Sequence, residues 1–224
     1  MFGTGEHVMM AYRVGPKGMR WLGWAAVLML LAVQPAIAAT ATATIVPENS
    51  NAGWQQADAY FRAGNLVEAR AAWDQAADEY AAAGDARGQA LALVRSGETS
   101  VALGEQVRAI ETLQQALTLS QEIAEPALES AAAGALGNAY AQAGLYDEAS
   151  TLLNASAETA KAIDAPALAA SAYNNLGNVM AYQGRPTEAE SAYRQAIDAA
   201  SRAQDNALAL RASANLARVQ LENN

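Results

Sequence analysis

The stretch LGNAYAQAGLYDEA, residues 136–149, aligns without a gap on LGNVMAYQGRPTEA, residues 176–189, and this pairing decides the fold. Working outward from it, Gly64, Gly104, Gly144 and Gly184 stand 40 residues apart, so one unit is copied along the chain. Ala69, Ala109, Ala149 and Ala189 each follow their Gly by five residues, and the bulky Trp73, Leu113, Leu153 and Tyr193 follow it by nine. Seven residues before each Gly stand Ala57, Gly97, Gly137 and Gly177. Small residues recur where two helices must approach closely, and large ones where a core has to be filled.

Both sides of the Gly carry helical spacing, as in Leu136, Tyr140 and Ala143 before Gly144, then Ala149, Leu152, Leu153 and Ser156 after it. Each unit therefore reads as a helical hairpin, with Gly in the turn free to adopt the left-handed conformation that ends a helix. A second break falls between units, at Gly84-Asp85, Glu125-Pro126, Ala165-Pro166 and Asp205-Asn206. Pro126 and Pro166 suit a first helical turn, where no N–H is required. The composition agrees: 52% of the 224 residues are hydrophobic but only 6% aromatic, so small side chains supply much of the apolar mass.

The small residue, aromatic, turn Gly, Ala, second aromatic and second Ala of the first copy are Ala57, Tyr60, Gly64, Ala69, Trp73 and Ala76. This order resembles the tetratricopeptide repeat. The third copy keeps Gly137, Tyr140, Gly144 and Ala149 but has Leu153 and Ser156 in the last two places. The fourth has Gly177, Gly184, Ala189, Tyr193 and Ala196, with Met180 in the first aromatic place. The second departs furthest, with Ser100 and Leu113 in the aromatic places. A 40-residue unit exceeds the family's usual length of about 34 and is similar to the long-helix repeats of kinesin light chain-like and related bacterial proteins. The resemblance implies an all-α, right-handed superhelical solenoid whose concave wall is lined by the first helix of each hairpin. The expected repeats are 50–85, 86–125, 126–165 and 166–205, with a final helix over 206–224 that shields the last hairpin.

Ahead of the repeats, Arg13, Lys17 and Arg20 precede an apolar run over residues 21–33, and Pro35-Ala36-Ile37-Ala38 follows it. That order predicts an export signal over residues 1–38, cleaved after Ala38, and a linker over 39–49. An uncleaved membrane anchor is the alternative. Cleavage leaves 11 basic and 22 acidic residues, a net charge of −11 that repels phosphate backbones and argues against nucleic acid. No stable membrane insertion is expected of the processed chain. The single His, His7, lies in the signal and there is no Cys, which removes the usual general base, thiol nucleophile and zinc ligands. No catalytic residue, metal site or cofactor is expected, and the place implied is a bacterial periplasm or the extracellular space.

Function is therefore sought on the wall that the resemblance makes concave. Asn138 follows Leu136-Gly137, Asn178 follows Leu176-Gly177, Asn174 and Asn175 lie just before the latter, and Asn215 stands one repeat after Asn175. An Asn offers both donor and acceptor, so a column of them can pair with the backbone of an extended peptide whatever its side chains. The column is similar to the asparagine ladders of long-helix tetratricopeptide proteins. Tyr182, with Gln142 in the equivalent place, flanks it, and Arg218, with Arg211 on a similar face, ends it with positive charge. Asp58 and Glu98 take the place of Asn138 in the first two copies, so the groove is expected to turn from acidic to amide-rich. The competing reading is that these Asn residues only bond to neighbouring helices. The expected function is an adaptor that holds a protein or peptide. The alternatives are a sensor or targeting array of a larger effector, or self-association through the final helix.

Overall fold

The computed structural model describes Ile45, Pro47 and residues 52–223. The expected export signal, its cleavage site and the rest of the linker lie outside the described residues. Among the described residues the regular elements are helices: α1 Ala52–Arg62, α2 Leu66–Ala82, α3 Ala86–Leu103, α4 Gln106–Glu122, α5 Pro126–Gln142, α6 Tyr146–Ala162, α7 Pro166–Tyr182, α8 Pro186–Arg202 and α9 Asn206–Glu222. They succeed one another as the hairpins α1–α2, α3–α4, α5–α6 and α7–α8, followed by α9.

The breaks are more regular than the 40-residue unit suggests. At each, an N–H closes on the carbonyl five residues back, from Asn65 on Tyr60 at 3.0 Å through Glu125 on Ser120 at 3.2 Å to Asp205 on Ala200 at 2.9 Å. This closure recurs every 20 residues and needs a left-handed residue just before the donor. Gly fills that place at 64, 84, 104, 144 and 184, whereas Ala124, Asp164 and Gln204 fill it with φ of 53°, 52° and 57°. A side chain in that region costs about 1–2 kcal/mol. Ala124 is exposed, so Ala124→Gly is expected to relieve the strain without losing a contact and to raise the thermal midpoint by about 2–4 °C. An unchanged or lowered midpoint in calorimetry would show that the break carries no strain.

Helix starts use two devices. Asp85 and Asp205 accept from the N–H of Gly88 at 2.8 Å and of Leu208 at 2.9 Å, capping α3 and α9. Proline opens α5, α7 and α8 instead. Within each hairpin the small residue faces the large one. A Cβ on Gly97 would lie 2.4 Å from Leu113, one on Gly137 2.8 Å from Leu153, and one on Gly177 2.6 Å from the Tyr193 ring.

Consecutive helices pack as antiparallel neighbours, so the odd-numbered helices run parallel to one another. Helices α3, α5, α7 and α9 also pack directly on each other in series, which the even-numbered helices do not do to a comparable extent. The tighter spacing on the odd side makes that side the inner wall, as a solenoid of this kind requires. The apolar core runs as linked clusters, one over α1–α5 around Trp73 and Leu91, another over α5–α9 around Leu153 and Tyr193.

The final helix only half-shields the stack. Leu208, Ala212 and Val219 are buried, but Leu210 and Leu221 stand 73% and 81% exposed. Leu210, Ala214, Ala217 and Leu221 form one outward stripe at helical spacing. Its members stand one repeat after Ala170, Asn174, Gly177 and Ala181 of α7, where Gly177 packs on the helix that completes its hairpin.

Candidate functional site

The inner wall brings four of the predicted residues into one hydrogen-bonded group at its C-terminal end. Helix α7 supplies Asn174, Asn175 and Asn178, and α9 lays Asn215 across them. The Asn215 amide donates to the side-chain oxygens of Asn174 at 3.2 Å and of Asn178 at 3.3 Å. Asn174 donates in turn to Asn175 at 3.3 Å and is itself buried. Asn174, Asn178 and Asn215 are thus bonded between helices, and Asn175 within its own.

A residue read only as core filler anchors the group. The Tyr193 hydroxyl, from α8, donates to Asn178 Oδ1 at 2.8 Å. Burial pushes this phenol up to about 12, opposed by the nearby Arg218 guanidinium, so it remains a protonated donor through the neutral range. Arg218 therefore lies near the same hydroxyl. The signal available in the sequence was that Tyr replaces the Leu of the second and third copies at a fully buried place, adding a hydroxyl that must find a partner.

Counting valences shows what remains. Asn178 Oδ1 accepts twice, from Tyr193 and Asn215, which leaves its NH₂ without a partner among the described residues. Asn215 spends both N–H groups, which leaves its carbonyl oxygen as acceptor. The network therefore fixes both amides in orientation and presents one free donor group and one free acceptor on adjacent helices of the inner wall. An extended backbone offers the complementary pair, C=O and N–H.

The other predicted residues are more loosely placed. Asn138, one repeat earlier, has no side-chain hydrogen bond among the described residues, because Leu153 stands where Tyr193 would anchor it. Tyr182 is 59% exposed and stacks on Tyr146 with ring centres 6.0 Å apart. Gln142 is exposed and Arg211 half-buried. The expected acidic end is electrically muted: Asp58 pairs with Arg62 at 2.7 Å and Glu98 with Arg95 at 3.1 Å. Arg95, almost wholly buried, lies over the rings of Phe61 at 5.1 Å and Trp73 at 5.6 Å. Trp54 packs edge-on against Trp73 at 4.6 Å, and Tyr60 and Phe61 of α1 pack against the same core cluster.

Glu68, Glu148 and Glu188 stand in the first turns of α2, α6 and α8, where the helix dipole favours them. Asp147 accepts from Gln183 at 2.9 Å. A polar cluster not foreseen from the sequence joins Asp74 to Ser96, Arg70 and Arg108 across α2, α3 and α4. Ser96 holds the place that Leu136, Leu176 and Leu216 hold in later copies, and that break in the pattern was its only trace. No helix among the described residues is long and apolar enough to cross a membrane.

Comparison with known proteins agrees with this architecture. Family models described as tetratricopeptide repeat match residues 51–82, 128–202 and 168–224. Among curated proteins none matches the chain in sequence. Solved structures share the fold at low identity. BtubC (BKLC) from P. vanneervenii is 17% identical with a TM-score of 0.57, over 74% of this chain and 77% of that one. The TPR-like repeats assigned to a kinesin light chain in Podosopora anserina are 18% identical with a TM-score of 0.60, over 75% and 84%. RapI in its apo form is 16% identical with a TM-score of 0.63, and the match covers 70% of this chain and 60% of RapI. The stacked hairpins, the small-against-large pairs and the matched repeats together place this chain in the tetratricopeptide repeat family.

Proposed function

We infer that the chain is an exported, non-catalytic adaptor that holds an extended polypeptide along its odd-helix wall. The repeats support a protein-interaction scaffold. The observation that carries the finer reading is the pair of oriented amide groups left over on Asn178 and Asn215, continued by Asn138 and Asn175 and closed by Arg218. Arg218 suits a partner with an acidic side chain or a terminal carboxylate near that end. The basic, apolar and Ala-x-Ala order of residues 13–38 supports export, and the absence of His and Cys beyond it supports a binding rather than a catalytic role.

The test is capture from an envelope extract by the native chain and by Asn138→Ala/Asn178→Ala/Asn215→Ala, with circular dichroism showing both folded. Partners caught by the native chain are expected to be lost or reduced about ten-fold by the variant. Equal capture would leave the amides a purely structural role.

A second reading, self-association of two copies through α9, is favoured by the exposed stripe of Leu210, Ala214, Ala217 and Leu221. Sedimentation is expected to rise with concentration in the native chain and not in Leu210→Asp/Leu221→Asp. A native chain that stays monomeric at all concentrations removes this reading.

A further inference from the structure

Two residues of the stretch read as linker are packed. Ile45 is half-buried and lies against both large core clusters, and Pro47 is buried. The clusters meet on α5, where Ala131 belongs to one and Leu128 and Ala132 to the other. A side chain packed against both lies where the two clusters adjoin.

The distance is within reach along the inner wall. Because the odd helices run parallel, the first turns of α1, α3 and α5 line up. From Ala52 back to Ile45 is seven residues, about 23 Å of extended chain at ~3.3 Å per residue. Helices α3 and α5 pack directly on each other, one step of about 10 Å. The chain between Ile45 and α1 is long enough to span two steps of that size.

The wall at α3 and α5 differs from the amide-rich end at equivalent positions. Leu91 and Val94, on the Glu98 face of α3, are apolar and fully buried, and Ala131 and Gly134 follow one repeat on. Two repeats on, the same places hold Ser171 and Asn174. At these places the chain is apolar toward the N-terminal end and polar toward the C-terminal end. Proline suits the apolar part, since it brings no N–H that would need an acceptor there.

We propose that the α3–α5 part of the groove is an apolar subsite for an aliphatic-x-Pro stretch of extended chain, and that the protein's own Ile45-x-Pro47 is its resident occupant. The proposal rests on the reading of the odd-helix wall as a peptide groove and adds a division of labour. The amide-rich end is open to a partner, while the apolar end takes one only when the resident segment leaves. A long partner then binds in competition with the chain's own segment, and a short one at the amide end does not.

Two measurements on the full chain test this. The chain has no Cys, so Ile45→Cys and Val107→Cys each carry a single thiol, the latter at a place 73% exposed. Maleimide labelling at position 45 is expected to be at least ten-fold slower than at position 107, and equal rates would overturn the residency of the segment. A fluorescein-labelled peptide of residues 41–50, ATATIVPENS, is expected to bind Ile45→Asp at least ten-fold more tightly than the native chain in fluorescence anisotropy. Equal affinity for the two chains, or binding to neither, would overturn the subsite.

The outcomes separate this proposal from the groove reading it rests on. Slow labelling and tight uptake by Ile45→Asp, with capture unaffected by the triple Asn substitution, retain the apolar subsite and reject the amide site. Fast labelling with capture lost in the triple variant does the reverse.

Discussion

Trp73→Ala is expected to cost about 3–5 kcal/mol and to release the N-terminal hairpins while the C-terminal ones stay folded. Trp73 is fully buried, packs edge-on against Trp54 at 4.6 Å and supplies one of the two rings beneath the Arg95 guanidinium. Removing it opens a cavity and at the same time strips a buried cation of part of its surroundings. In a stacked array each hairpin contacts only its neighbours, so the loss is not shared along the chain. Hydrogen exchange is expected to show lost protection in α1–α3 and retained protection in α7–α9. Uniform loss across all helices would mean that the array unfolds as one cooperative unit.

The second large effect is expected at Gly177. Even a Cβ there would stand 2.6, 2.7 and 3.0 Å from three atoms of the Tyr193 ring, and that ring is fully buried. Gly177→Leu therefore has to move the ring or separate α7 from α8, at about 3 kcal/mol or more. Moving the ring also breaks the Tyr193 bond to Asn178, so packing and the candidate site fail together. Tyr193→Ala is expected to cost about 3–5 kcal/mol through the hole it leaves. Because the new Leu would partly fill that hole, the double variant is expected to fall short of the summed costs by about 1 kcal/mol or more. Urea unfolding of the three variants measures this, and strict additivity would show that the two residues do not share one space.

These two sites also show which features were legible in the sequence. Trp73 and Gly177 belong to the repeating small-against-large pairs, and few residue types meet a demand that steric, so the period survives in all four copies. The turn glycines were legible for the same reason. The breaks between hairpins were marked by Gly84-Asp85, Pro126 and Pro166, but their common closure was not, because it is made by backbone groups and tolerates Ala124, Asp164 and Gln204 at a modest cost.

The candidate site was legible in part. The recurrence of Asn after Leu-Gly pointed to α5 and α7. It did not show that Asn178 is held by Tyr193, 15 residues away, and by Asn215, 37 residues away, since those residues meet only once the hairpins stack. Nor did it show that Asp58 and Glu98 are paired within their own helices, or that Ile45 and Pro47 pack rather than link. Each of these depends on which free surface lies nearby in three dimensions, and the one-dimensional pattern does not carry that information.

Backbone recognition by the fixed amides is tested most directly by ester substitution. A peptide selected by display against the native chain is resynthesised with each backbone N–H in turn replaced by an ester oxygen, which removes one donor and leaves the side chains intact. At one or two positions affinity for the native chain is predicted to fall about five- to ten-fold, the loss of one hydrogen bond, with no change on Asn138→Ala/Asn178→Ala/Asn215→Ala. Affinity that is indifferent to every ester on the native chain would contradict the reading that these asparagines hold a partner by its backbone.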